Sequence, residues 1–232
     1  MDQQHRTDVN DQGNMESTQA ENVQASGSAG AEQASPTNNK SGKTQKEVFE
    51  WVKALAIAAL LVLVIRYFLF APFIVDGPSM QPTFYTGERL IVNKIIYDIR
   101  QPKRGEVVVF HVPEEGRDFI KRVIGVPGDK VKYEGDNLYI NGKKVDEPYL
   151  KQSIAEAKAN GQIFNNNGPD KDFPNENFKT DIVPAGSILA FGDNRRDSKD
   201  SRMIGFVPMS RIVGRADIIF WPVSKIEFVK HG

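Results

Sequence analysis

Residues 54–75 read ALAIAALLVLVIRYFLFAPFIV, 22 residues with one charge, Arg66, and one proline, Pro72. A helix on the surface of a globular fold shows a polar face at a period of 3.6, and this segment has none. Its length matches the roughly 20 apolar residues that cross a bilayer. Fourteen of the 22 are Leu, Ile, Val or Phe. Each is favourable in a membrane by roughly 0.3–0.6 kcal/mol, against a cost of about 2.5–3.5 kcal/mol for a central Arg. The apolar sum prevails, and Arg66 lies past the middle of the run, where its head group can reach the interface. The sequence therefore predicts one transmembrane helix over 51–75, with a buried core helix as the competing reading. Fifty residues precede it and no small-x-small cleavage pattern follows, so it reads as an anchor rather than a cleavable leader. Lys40, Lys43, Lys46 and Lys53 lie before the run, and no Lys or Arg occurs between Arg66 and Arg89. The positive-inside rule then puts the N-terminus in the cytoplasm and everything after the helix outside. Trp51 and Tyr67 are candidate interfacial anchors.

Residues 1–50 are polar and hold four basic against eight acidic residues. Such a stretch buries too little surface to offset its chain entropy and is expected to be a disordered cytoplasmic tail. The whole chain balances 30 Lys and Arg against 30 Asp and Glu, which argues against a nucleic-acid partner. The absence of Cys excludes disulfides, thiolate metal sites and a cysteine nucleophile. His5, His111 and His231 are too scattered for a zinc site. No metal or other cofactor is expected.

Residues 76–232 are long enough for one domain with its own core. Short runs rich in Val, Ile, Phe and Tyr at 89–93, 106–111, 119–124, 130–133, 138–141, 187–191 and 216–221 are separated by Gly, Pro, Asp and Asn. Asn141-Gly142 marks a hairpin. Residues 152–160 suit a short helix ended by Gly161, and 161–180 reads as a surface loop. The predicted class is mainly β, tethered by one N-terminal transmembrane helix.

Three segments carry residues able to do chemistry. In Gly77-Pro78-Ser79-Met80-Gln81-Pro82-Thr83, two prolines stiffen the chain around a serine. On spacing alone, a rigid turn with an ordinary serine is the simpler account. A nucleophilic serine needs a base. His111 is the one histidine in the body of the domain, and no spacing links it to Ser79. A lysine must lose its charge first, at roughly 4–5 kcal/mol from its usual pKa, which burial can supply. In Asp118-Phe119-Ile120-Lys121-Arg122-Val123, strand alternation places Lys121 on one face with Phe119 and Val123. On periodicity alone, a lysine snorkelling at a strand edge is the simpler account of that pattern. The third segment, 192–202, reads GDNRRDSKDSR. Its Asp, Asn and Ser can hold a defined loop, although on composition alone a solvated charged loop is the simpler account.

PSMQPT at 78–83, RGEVVVF at 104–110, DFIKRVIGVPGD at 118–129, GDNRRDSKDSR at 192–202 and GFVP at 205–208 follow the apolar run in this order. Together these blocks resemble the bacterial type I signal peptidases, the membrane-bound Ser/Lys proteases of the leader peptidase family. The resemblance implies a β-rich catalytic domain with a smaller inserted β region at about 130–184. It implies Ser79 as nucleophile, Lys121 as general base, Ser198 as the group that orients the lysine, and Asp200 and Arg202 as stabilisers of their loop. It also implies preprotein signal peptides as substrates, cleavage after small residues at −1 and −3, contact with membrane lipid, and a catalytic domain outside the bacterial cell membrane. Proximity to the export translocon is left open. Some members place a serine two positions before the nucleophile as an oxyanion donor, and Gly77 stands there in this chain. Phe73, Val75, Met80, Phe84 and Ile120 flank the catalytic residues and are candidates for shallow substrate pockets, or equally for core. A Ser/Lys protease cleaving itself or a dedicated partner, and a catalytically silent membrane-anchored binding module, are the alternatives.

Overall fold

A computed structural model describes residues 41–65, 70–165 and 171–232. The chain divides into two units, Met1–Val48 and Phe49–Gly232. Of the first, the described part is the opening of helix α1 (Ser41–Val64), which continues into the second. The tail expected to be disordered lies almost entirely outside the described residues, as do Arg66 and Tyr67.

The helix expected over 51–75 is corrected at both ends. It begins at Ser41 and stops at Val64, and strand β1 (Phe70–Ile74) occupies the last part of the apolar run. Pro72 has no N–H to give a helix, but at the edge of a sheet that missing donor is tolerated. Edge position is where β1 sits. Among the described residues no helix is long and apolar enough to cross a membrane.

The second unit continues through β2 (Arg89–Asn93), α2 (Ile96–Ile99), β3 (Val107–Val112), β4 (Arg117–Gly125), β5 (Val131–Glu134), β6 (Asn137–Ile140), β7 (Lys143–Val145), α3 (Lys151–Ala159), β8 (Ser187–Phe191), α4 (Ser201–Ile204), β9 (Val207–Pro208), β10 (Ile212–Trp221) and β11 (Glu227–Phe228). The main sheet runs β1-β2-β10-β3-β4-β8-β9, with β11 also on β10, and every pairing is antiparallel. The fold is mainly β.

The run Val107-Val108-Val109-Phe110 lacks polar alternation because both faces of β3 are covered. Val107 and Val109 join a cluster with Val75, Met80, Phe84, Leu90, Val92, Ile120 and Ala216. Val108, Phe110 and Val112 join another with Phe119, Val123, Ile188 and Ala190. This two-sided burial makes β3 and β4 the rigid centre of the molecule.

Between β4 and β8 the chain makes an excursion that contains the small sheet β5-β6-β7 and α3. At the β6–β7 hairpin, Asn141 (φ 53°) and Gly142 (φ 78°) both take left-handed conformations, as a tight primed turn requires. Isolated bridges Lys130↔Ile182 and Tyr133↔Phe173 draw the return path against β5. This region shares its core with the main sheet. Phe191 on β8 meets Tyr133 edge-on at 5.8 Å and Phe173 at 6.1 Å, and all three are buried.

Phe191 therefore joins the inserted region to the main sheet. Phe191→Ala is expected to cost about 3–5 kcal/mol of unfolding free energy. Urea denaturation checks this, and a change below about 1 kcal/mol would contradict the shared core.

Candidate active site

Ser79 lies in the turn that follows β1. Its neighbours anchor the turn by burial, since Met80 and Phe84 are fully enclosed in the first core cluster. Backbone bonds Gln81 N–H to Pro78 O (3.0 Å) and Phe84 N–H to Met80 O (2.9 Å) close it locally. Val75 and the chain at 87–88 exchange bonds at 2.9 Å, which ties the turn's base to the start of β2.

Lys121 comes from the middle of β4, opposite Val108. It is 3% exposed. Its Nζ donates to Ser79 Oγ at 2.7 Å and to Ile120 O at 2.8 Å, and it lies 5.0 Å from the Phe119 ring centre. Burial pushes its pKa down to about 8. Asp200 and Asp193 act against that fall, while Arg117 and Arg202 add to it. A lysine snorkelling at a strand edge would be solvated, and this one is enclosed. His111, the alternative base, is exposed and pairs with Asp118 at 2.8 Å. His231 accepts the Val107 N–H through Nδ1 at 3.3 Å. Neither bonds Ser79.

The loop 192–202 is not a solvated charged loop. Four of its members join three ion pairs almost wholly withdrawn from water. Asp193 accepts a bidentate pair from Arg122 of β4 (2.9 and 2.7 Å), Arg195 pairs with Glu147, and Asp200 accepts Nε and Nη2 of Arg202 (2.9 and 2.7 Å). Arg122 further donates to Gly105 O and Lys230 O and stacks 3.9 Å above Tyr149. Arg202 reaches Asn165 Oδ1, Lys171 O and Arg195 O. Asp200 also accepts Gly192 N–H at 2.9 Å and caps α4 by accepting Arg202 N–H. Burial pushes the Asp200 carboxyl up, but the charge and hydrogen bonds of Arg202, with Gly192 N–H, hold it below the usual carboxylate value.

Gly192 is where this loop touches the Ser79 turn. A Cβ built there would stand 2.3 Å from Ser79 O and 2.2 Å from Ser198 Oγ, so no larger residue fits. The hydroxyl of Ser198 is buried without a hydrogen-bond partner among the described residues. It is close enough to Asp200 to help hold that carboxyl low, but not in bonding geometry. The expected bond from Ser198 to Lys121 is therefore corrected. The lysine is oriented instead by the carbonyl of Ile120.

Of the pocket candidates, Val75, Met80, Phe84 and Ile120 lie in the first core cluster, and Phe73 packs against it half-buried. They form a floor under the Ser79 turn more than an open cleft. Arg122, Glu147, Asp193 and Arg195 were not singled out from sequence. Their partners lie 71 and 48 positions apart, and the one local signal was the adjacency of Arg122 to Lys121. Among the described residues no group of three or more His, Cys, Asp or Glu could hold a metal ion.

A buried base against a serine, with polar backbone groups nearby, can transfer a proton and form an acyl intermediate. A family model described as signal peptidase, peptidase S26, matches residues 48–221. Signal peptidase IB of Staphylococcus aureus (strain MRSA252) is 42% identical over 184 residues, which is 79% of this chain and 95% of that protein. Signal peptidase I of Bacillus licheniformis is 42% identical over 193 residues, 82% of this chain and 98% of that one. A solved signal peptidase I from Enterococcus faecalis V583 aligns at 36% identity with a TM-score of 0.41, over 50% of this chain and 97% of that chain.

Enclosing Lys121 has a stability cost with a definite pH signature. Its pKa is lower in the folded state (about 8) than unfolded, so the unfolded chain binds more protons between about pH 8 and 10.5. The cost is full below pH 8 and vanishes as pH rises past 10. Lys121→Met is thus expected to stabilise the domain by about 1–3 kcal/mol at pH 7, with the gain shrinking toward pH 10. Thermal unfolding of both proteins across that range checks it, and a gain independent of pH would contradict the enclosed ammonium as its cause.

Proposed function

The chain belongs to the signal peptidase family, peptidase S26, a family of hydrolases, and on that premise we propose that it cleaves signal peptides from exported preproteins with a Ser79–Lys121 dyad at the outer face of the membrane. The observation that carries this reading is the 2.7 Å contact between Lys121 Nζ and Ser79 Oγ with the lysine enclosed.

A neutral lysine has two N–H bonds and one lone pair. Donation of one N–H to Ile120 O leaves the lone pair for Ser79 Oγ. Lys121 takes the serine proton as Oγ attacks the scissile carbonyl carbon, and the C=O π electrons move to oxygen. The resulting ammonium returns a proton to the leaving amine as the C–N bond breaks, which gives the acyl-enzyme and frees the mature protein. A water, deprotonated by the same lysine, then releases the signal peptide's carboxylate. Ser79 N–H is the donor aimed at the oxyanion. With glycine at position 77 there is no side-chain hydroxyl to assist it. Asp193, Asp200, Arg122 and Arg202 act by holding the loop against Ser79. The floor made by Val75, Met80, Phe84, Ile120 and Phe73 favours small substrate residues, because close packing leaves no room for large ones.

One feature supports a membrane location. Val48, Phe49, Trp51, Val52, Leu55, Ile57 and residues 60–65 of the helical segment are all exposed, 42% or more in each case, as apolar side chains are when lipid is to cover them.

The direct test is cleavage in detergent of a preprotein bearing an Ala-x-Ala site. Ser79→Ala and Lys121→Ala are each expected to lower kcat roughly a thousandfold or more, and full activity in either would remove the dyad. Because the neutral lysine is the active form, kcat/KM should fall about tenfold per pH unit below an apparent pKa near 8 and level off above it. A profile that stays flat from pH 6 to 9 would contradict Lys121 as the base.

A further inference from the structure

The turn carrying Ser79 and the loop 192–202 are joined by a residue that takes no part in proton transfer. Asn194 N–H donates to Ser79 O at 3.0 Å, and Asn194 Nδ2 donates to Pro78 O at 3.2 Å. Gln81 N–H also donates to Pro78 O, at 3.0 Å. The Pro78 carbonyl and the Ser79 N–H are opposite ends of one planar trans peptide. Fixing the oxygen therefore fixes the direction of the N–H. No acceptor among the described residues takes that N–H, so it is available to a ligand. Two donors on the carbonyl oxygen also draw electron density along the amide and strengthen its N–H, by roughly 10–30% per bond.

We propose that Asn194 is a positioning residue for the oxyanion: by clamping Pro78 O, its side-chain amide aims and polarises Ser79 N–H toward the developing oxyanion. The inference rests on the reading of Ser79 as the nucleophile. Asn194 is well placed for the role because both its neighbours are immobilised, Asp193 by Arg122 and Arg195 by Glu147. The loop cannot swing away without breaking a buried ion pair. The scissile oxygen gains full negative charge only in the tetrahedral state, so the effect falls on kcat and leaves KM nearly untouched.

Asn194→Ala keeps the backbone bond to Ser79 O and removes the side-chain donor alone. It is expected to lower kcat about 10–100-fold with KM within about twofold, and to leave the acid limb of the pH profile near 8. A peptide aldehyde ending in Ala probes the same donor. Ser79 Oγ adds to its carbonyl carbon, the π electrons pass to oxygen, and the serine proton goes to Lys121. The aldehyde's Ki should rise in proportion to the loss in kcat/KM, while the Kd of an uncleavable peptide with Pro after the cleavage site stays unchanged. A kcat within twofold of wild type, a loss confined to KM, or a displaced acid limb would each overturn the proposal. Should Asn194→Ala fail to fold, Asn194→Ser, which keeps a short donor, carries the same comparison with an intermediate loss expected. Ser79→Ala runs alongside. Its retention of cleavage would remove the underlying reading, whereas its inactivity beside a fully active Asn194→Ala would remove this inference alone.

Discussion

An ammonium group enclosed as fully as that of Lys121 loses most of its hydration, and desolvation disfavours the charged form by kilocalories. A buried lysine can respond by keeping its charge through a nearby carboxylate or by letting the charge go. The surroundings of Lys121 settle this contest. Asp193 and Asp200 both raise its pKa, and either carboxylate left bare would hold the proton in place. Each is instead matched by a guanidinium with two well-formed hydrogen bonds. The compensated carboxylates exert less pull, and desolvation prevails. The ion pairs thus influence the charge state of Lys121 without bonding to it.

Buried ion pairs are poor sources of stability. Desolvating both partners often cancels their attraction, and apolar replacements of similar shape can do as well or better. What the three pairs here supply is distance and direction. Arg122 ties β4 to the loop at Asp193, Arg195 ties the loop to Glu147 in the inserted region, and Arg202 ties it to Asn165 and Lys171. Aromatic rings support the cations, with Arg195 and Arg202 both over Phe191 and Arg122 over Tyr149. The insertion is therefore part of the scaffold of the candidate site and shares one core with β4 and β8.

Much of this was legible in the residues, and the failures have physical causes. Strand runs with β-branched and aromatic residues, and the Asn141-Gly142 turn, reflect local preferences that the tertiary fold did not override. The boundary inside 54–75 was hidden because an apolar helix and an apolar edge strand look alike without alternation, and only Pro72 marked the change. The segment 192–202 read as solvated because composition cannot distinguish a paired charge from a hydrated one. Arg122 and Arg195 find carboxylates 71 and 48 residues away, a relation that no local period carries. Ser198 lies beside the Ser79 turn across Gly192, yet its hydroxyl bonds nothing among the described residues, and Lys121 donates to the carbonyl of Ile120.

Each group of the proposed dyad is positioned by a separate part of the fold. Lys121 rides on β4, buried on both faces. Ser79 rides on a turn pinned by Met80 and Phe84. The peptide that ends in Ser79 N–H is held by the loop through Asn194. Misplacing any of them by an ångström would cost on the order of a hundredfold in rate, so the three parts must meet with little freedom. Gly192 makes that meeting sterically feasible, since any side chain there would collide with Ser79 O and Ser198 before the loop could close on the turn. The tolerance of the site is thus set by a glycine. A substitution at Gly192 would act on Ser79 and its amide together, while Lys121 would stay on β4, enclosed as before.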